Sequence, residues 1–368
     1  MTTYIIETSQ PEKLDEFCTN IGSPKSIQNL FIVESDYSLW DLKKIPGVTF
    51  IEEESDDAPD NNYDYDYWHQ EISGLTENTN KTGKNVDVYV FDSVVFDHEE
   101  FENRLVKLFQ SKKGNQENNH GTACSSLVGG KTVGIAPGCI IKHVGYNFKS
   151  SETVKGFDIL IDDYRKSDKP AVLNMSIFSS SWVYKKLLEK ARAEGIIVVV
   201  SAGNNGSDKK QIPARLDTTL AVAAHDRRFK PTDFTSYGED VDIWAAGSSM
   251  KAANIEGSYR QFNGTSAAAP IVSGAFALLL EGSDKLTSKN QTNDVINYFF
   301  EEFTRENDNL SKPETTKKVL NIPEKIKSFV YNKPTSDAKN KNNSKKKSKI
   351  VLGVLFAVLV YGIFLINR

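Results

Sequence analysis

The sequence predicts an α/β fold with a mostly parallel sheet covered by helices on both faces. Two observations lead there. Apolar strand-like runs recur between residues 68 and 305, and amphipathic segments with helical spacing separate them. In order, the strand candidates are VDVYVFD from 86, CIIKHVGYN from 139, AVLNMSIF from 171, GIIVVVSAGN from 195 and TLAVAAHD from 219. Helical spacing covers SLVGGKTVGIA after His120, 153–166 and 182–194. In the last of these, Val183, Leu187, Leu188 and Ala191 share one face. In such folds ligand chemistry gathers at the carboxyl ends of the strands, where Asp92 and Asn204 stand.

The flanks differ in character. Residues 1–54 read as a small α+β unit, with TYIIET and GVTFIEEE as strands and QPEKLDEFCTN and SLWDLKKI as short helices. Residues 55–67 are acidic and almost free of aliphatics, which predicts an exposed linker. Residues 306–349 form an extension ending in a lysine-rich tether. The uncharged run IVLGVLFAVLVYGIFLI, 350–366, makes a helix of about 26 Å, just enough, at the short end of the usual range, for the ~30 Å hydrocarbon core. The lysines of KNKNNSKKKSK before it favour the cytoplasmic side. The N-terminus has no basic start and no apolar run of signal-peptide length. The expected arrangement is therefore a tail-anchored, single-pass protein with its main domain in the cytosol. An endomembrane or lumenal orientation is the alternative.

Composition excludes some functions. Over 368 residues, 45 Lys and Arg stand against 49 Asp and Glu, a net charge of −4 that argues against nucleic-acid partners. Cys18, Cys124 and Cys139 make an odd, sparse set with neither disulfide-framework nor zinc-ligand spacing.

The strongest chemical signal is FNGTSAAAPIVSGAFALLLEG, 262–282. A Gly-Thr-Ser turn opens an alanine-rich helix, placing Ser266 near free backbone N–H groups. Such a place suits a nucleophile whose attack builds an oxyanion nearby, although helix capping is the commoner role of such residues. A nucleophilic serine needs a base. Of the five histidines, His120 stands out in NNHGTACSSLVGG, ahead of a run of small residues that lets a helix start close to its neighbours. Asp92 at a strand tip is the candidate to orient that base. Asn204 follows a buried strand and Gly203, and could offer its amide to the oxyanion.

In this order, Asp92, His120 in HGT, Asn204 in SAGN and Ser266 in GTSAAAP resemble the subtilisin-like serine peptidases, most closely their proteinase K-like branch. The resemblance covers about 60–300 and includes FDHEEFENRL, VGIAPGCIIKHVGYN and TDFTSYGEDVDIWAAG. It implies the three-layer subtilisin-like α/β/α sandwich and a serine endopeptidase acting on polypeptides. The triad would be Asp92, His120 and Ser266, with Asn204 in the oxyanion hole. Residues 1–54 resemble the family's propeptide, which implies a zymogen inhibited by its own N-terminal segment. The substrate-binding edge falls on Ser176, Ile177, Phe178 and Ser179, where the family usually has Ser-Leu-Gly-Gly. Val94 stands where the family usually has Gly. The resemblance also implies a structural calcium held by the carbonyls of Pro213 and Arg215 and the carboxylate of Asp226. Val94 and Phe178 motivate the competing expectation, an inactive subtilase fold serving as a binding module.

Overall fold

The computed structural model describes residues 2–22, 30–53, 67–112, 119–147, 150–179, 181, 183–208 and 211–329. The expected linker up to 66, the lysine-rich tether and the apolar run 350–366 lie outside them. Among the described residues no helix is long and apolar enough to cross a membrane. The chain divides into two compact units, Met1–Asp64 and Tyr65–Arg368.

The first unit is a four-stranded sheet ordered β2-β3-β1-β4, with β1 Thr2–Thr8, β2 Thr19–Gly22, β3 Leu30–Ser35 and β4 Val48–Glu53, and a short helix α1 Leu39–Leu42. β1 pairs antiparallel with both β3 and β4. Its core is Tyr4, Ile6, Leu14, Val33, Leu42 and Ile45. Strands β2 and β3 add to the two expected from sequence. The QPEKLDEFCTN helix shrinks to a 3-10 turn at Pro11–Lys13, because Lys13 and Leu14 bond back only three residues, to Gln10 and Pro11.

The second unit begins with α2 Trp68–Ile72 and continues through β5 Asp87–Asp92, β6 Leu105–Gln110, α3 His120–Gly129, β7 Ile140–Gly145, α4 Ser150–Lys166, β8 Ala171–Met175, α5 Val183–Glu194, β9 Ile197–Ser201, β10 Leu220–His225 and β11 Ile243–Ala246. A hairpin of β12 Met250–Ala253 and β13 Tyr259–Phe262 follows, then α6 Thr265–Leu280, α7 Lys289–Glu302, β14 Thr304–Glu306 and β15 Lys318–Leu320. Nine strands form one sheet, ordered β14-β15-β11-β10-β9-β8-β5-β7-β6 and parallel except for the β14–β15 pair.

Alternation along each strand divides its residues between two cores. Val88 and Val90 of β5 and Val199 of β9 pack with α3 and α6. Tyr89 and Phe91 of β5 and Val198 and Val200 of β9 pack on the other face, with α4 and α5. This is the expected layered sandwich. β5 has β7 on one side and β8 on the other, so the chain changes direction across the sheet at β5. The carboxyl ends of β5 and β8 flank that crevice, which places Asp92 and Ser176 at it.

Two expectations need correction. The helix after His120 spans His120–Gly129 and does not run on through SLVGGKTVGIA. Gly129-Gly130 ends it, and the backbone N–H groups of Thr132 and Val133 turn to the Glu100 carboxylate instead of continuing the helix. The domain also does not stop near 305. β15 pairs with β11, and Leu310, Val319, Leu320, Ile322 and Ile326 are buried. Side chains of this size contribute about 1.5–3 kcal/mol each, so removing five costs about as much as the whole net stability of a domain. A chain ending at residue 305 is expected not to fold, with no cooperative melt by circular dichroism. A chain ending at 329 is expected to melt cooperatively.

Candidate active site

Asp92 ends β5 fully buried. Its Oδ1 accepts the Ser93 backbone N–H at 2.7 Å and faces His120 Nδ1 at 2.7 Å. Gly121 makes this approach possible. A Cβ there would stand 2.4 Å from the Ser93 carbonyl oxygen, so only glycine lets α3 come this near the end of β5. Val94, where a glycine was expected, is buried and has no positive φ. The turn after Asp92 is thus built without a left-handed residue at that position.

Burial works against the charged form of the His120 imidazole, but the adjacent Asp92 carboxylate outweighs it and holds the pKa well above the ordinary 6.5. The four other histidines are tied to structural partners. His69 Nε2 meets the Val133 carbonyl at 2.8 Å, His98 Nε2 the Ser258 carbonyl at 2.9 Å, His143 Nε2 the Ser93 carbonyl at 2.7 Å, and His225 Nδ1 the Asp226 carbonyl at 2.8 Å. Burial pushes His69, His143 and His225 down to about 4, which keeps them neutral at physiological pH.

Ser266 is the second residue of α6, a helix buried along its whole length, and small alanines let it run through the core. Pro270 lies one turn further on and has no N–H to give the Ser266 carbonyl. That freed carbonyl instead accepts the Ser176 hydroxyl at 3.0 Å and the Cys124 thiol at 3.4 Å. Cys124 Sγ also lies 3.6 Å from His120 Nδ1, so one buried thiol spans the gap between the imidazole and the serine backbone. Burial raises the pKa of this thiol, keeping it protonated. The Ser266 hydroxyl itself points to the Ser176 carbonyl at 3.4 Å. The anchoring by Cys124 and by the Ser176 side chain was missed from sequence. The signal was present: a proline four residues after the serine frees its carbonyl for outside partners.

Asn204 follows β9 through Gly203, whose φ is 109°. Its Oδ1 accepts both the backbone N–H of Thr265 at 2.8 Å and the Thr265 hydroxyl at 2.9 Å. With the oxygen fixed to the start of α6, Nδ2 turns toward Gly264, 3.3 Å from where a Cβ at that glycine would lie. Gly264 has φ 126°, so a side chain there would be both strained and in the way.

Beside these groups is a recess of about 190 Å³, lined among others by Ser176, Ile177, Phe178, Asn204 and Ser266. Phe178 is 75% exposed at this recess and does not fill it. The Ser179 N–H is already bonded to the Ile212 carbonyl at 2.7 Å. Thus Asp92 and His120 are in direct contact, Ser266 and Asn204 are joined through the start of α6, and Ser176–Phe178 line the same recess.

The donors expected for calcium are arranged differently. The Pro213 carbonyl accepts the Leu216 N–H at 3.0 Å and faces the buried Thr219 hydroxyl at 3.1 Å. Asp226 Oδ1 accepts the N–H groups of Arg228 and Lys230 at 2.8 and 2.9 Å. Two of the three donors are engaged within their own turns, and calcium asks for about six to eight oxygens. Pro213, Arg215 and Asp226 would supply only part of that shell, two carbonyls and one carboxylate, and water would have to complete it. Among the described residues the one cluster of His, Cys, Asp or Glu with metal-ligand spacing is Asp92, His120 and Cys124. Its members are occupied with one another.

The chain has relatives among known proteins. It is 34% identical over 212 residues to "Proteinase R" of Parengyodontium album, covering 54% of each chain. It is 32% identical over 235 residues to "Alkaline protease 1" of Aspergillus flavus, covering 58% of each. The chain thus spans between half and three-fifths of the length of these curated relatives. Among solved structures, "Crystal structure of a cold adapted subtilisin-like serine proteinase" superposes with a TM-score of 0.61 at 27% identity, covering 70% of this chain and 98% of that one. Residues 57–311 match the Subtilase family over well more than half of the sequence, and the chain belongs to that family.

Proposed function

We propose that the protein is a serine endopeptidase, made as a self-inhibited precursor tethered to a membrane. The observation that carries the activity is the 2.7 Å contact of His120 Nδ1 with Asp92, set beside Ser266 at the start of α6. In this mechanism neutral His120 takes the Ser266 proton at Nε2 as Oγ attacks the peptide carbonyl. Asp92 holds Nδ1 protonated and stabilises the imidazolium. Asn204 Nδ2 and the Ser266 backbone N–H receive the oxyanion, which collapses to an acyl-enzyme as His120 gives its proton to the departing amine. Water then repeats the sequence and frees Ser266. No step uses calcium.

The test is labelling of the full chain in detergent with a fluorophosphonate probe. Labelling that disappears in Ser266→Ala supports the activity. A wild type that labels no better than Ser266→Ala would favour the binding-module reading, which the exposed Phe178 at the substrate edge motivates.

Residues 1–54 acting as an inhibitory propeptide rest on the family resemblance and on the compact four-stranded unit they form. The tether rests on the apolar run 350–366, which favours a tail anchor with the catalytic domain cytosolic. Protease protection on intact membranes tests this orientation. A domain shielded from added protease would place it in a lumen.

The raised His120 pKa sets the pH dependence. The base works only when neutral, so kcat/KM is expected to rise with pH along a limb whose midpoint lies above the ordinary imidazole value of ~6.5. The sign for stability is opposite. The His120–Asp92 ion pair contributes fully below that ordinary value, and its contribution is lost as pH rises through the raised one. A pH–rate profile on a peptide substrate checks the first statement, and thermal melts across the same range check the second.

A further inference from the structure

We propose that Arg260 selects substrates carrying an acidic residue just after the scissile bond, an inference that rests on the endopeptidase reading above. Arg260 lies on β13, in the hairpin that precedes α6. Its guanidinium Cζ stands 5.6 Å from the centre of the Phe262 ring, and that ring meets the His120 imidazole edge-on at 5.2 Å. Arg260 Nη1 donates to Asn119 Oδ1, on the buried residue immediately before His120 at the start of α3. Asn119 is held from behind by its own amide, which donates to Asn254 Oδ1. The guanidinium is thus fixed by Asn119 and Phe262 at one wall of the site, one ring away from the base.

Among the described residues no carboxylate pairs with Arg260, whose other polar contact is Nε to the Gln261 carbonyl at 3.4 Å. Two acids that meet the hairpin through Tyr259, Glu99 and Glu100, both accept its hydroxyl, at 3.3 and 2.6 Å. Glu100 also receives the N–H groups of Thr132 and Val133. A half-buried guanidinium has five N–H donors in a fork that matches a carboxylate. Here one is committed to Asn119 and Nε makes a long contact, so the fork still has donors to offer.

The chemistry decides which part of the substrate meets Arg260. The imidazole delivers its proton to the departing amine, so the chain after the scissile bond leaves past His120. The acyl side lies toward Asn204 and the recess at Ser176–Phe178. Phe262 stands against His120 and Arg260 lies one ring beyond it, so both flank the base that protonates the departing amine. The wall there offers an aromatic face and a cation, which complements Asp or Glu in the first two positions after the cleaved bond.

The experiment uses the full chain in detergent and three quenched peptides, identical except for Glu, Ala or Lys in those two positions. Wild type is expected to cleave the Glu peptide with a kcat/KM about 5- to 10-fold above the Lys peptide, as one charge-assisted contact supplies. The Glu-to-Lys ratio should fall to about 1 in Arg260→Gln, invert in Arg260→Glu and persist in Arg260→Lys. Ratios taken within one variant are independent of any general loss from disturbing Asn119. If the variants do not fold, the wild-type ratio alone decides through its salt dependence, since an electrostatic preference should shrink from 0.05 to about 0.5 M salt as screening shortens. Equal cleavage of the three peptides by wild type, or a ratio unmoved by salt and by Arg260→Gln, overturns the assignment of Arg260 while leaving the endopeptidase reading intact. Failure to cleave any of them, together with no fluorophosphonate labelling, overturns that reading itself.

Discussion

Asp92→Asn is expected to lower kcat by about 10⁴ while the protein stays folded. The carboxylate does two things, of which an amide oxygen in the same place keeps only the first. It keeps the proton on His120 Nδ1, leaving Nε2 free to accept from Ser266. It also stabilises the imidazolium that forms when Nε2 takes that proton. The Ser93 N–H holds Asp92 Oδ1 at 2.7 Å, so the amide oxygen of the variant is expected to remain in place and the geometry to survive. What disappears is the charge, in a site where Asp92 is fully buried and water cannot replace it. A second readout separates this loss from misfolding. The Asp92 carboxylate is what raises the His120 pKa against the effect of burial. Without it burial weighs more, and the residual activity should show its acid limb at lower pH than the wild type. A variant with full activity, or one whose limb does not move, would break the link between Asp92 and the base.

How far the sequence alone revealed this molecule depended on the range of the interactions involved. The buried parallel strands were legible because each carries its own signal: β5, β8 and β9 are apolar at both faces, and β5 and β9 end in polar residues. α4 and α5 were legible from the spacing of residues such as Leu188 and Ala191, which the structure buries. β6 was not, since Val106 is exposed and the strand lies at the sheet edge with intermediate burial. β14 and β15 are three residues each, too short for a periodic pattern, and become strands only by pairing with each other and with β11. The same division holds at the site. Asp92, His120, Asn204 and Ser266 stand in local motifs. Cys124 and the Ser176 hydroxyl act on the Ser266 carbonyl from 142 and 90 residues away, a relation that only the packing of α3 and β8 against α6 creates. Arg260 is similar, since its place beside His120 depends on Phe262 and Asn119 meeting in space.

Asn204→Ala is expected to lower kcat about 10²- to 10³-fold with little change in KM, because its Nδ2 donor matters when the carbonyl oxygen becomes an oxyanion and little before. The residue has a second task that the same substitution exposes. Asn204 Oδ1 is the acceptor for the Thr265 N–H at 2.8 Å, one of the free donors at the start of α6, and for the Thr265 hydroxyl, which in turn accepts the Gly203 N–H at 3.1 Å. Removing the amide leaves that backbone N–H without its partner, at a cost of about 1–3 kcal/mol. The activity and stability losses can be separated. Asn204→Asp keeps the acceptor for Thr265 but has no N–H to offer the oxyanion and places a negative charge where one must form. Its melting temperature should lie nearer wild type than that of Asn204→Ala, while its kcat should be at least as low. If Asn204→Asp instead keeps near wild-type kcat, Nδ2 does not serve the oxyanion, and Asn204 is a structural clamp on the entrance to α6.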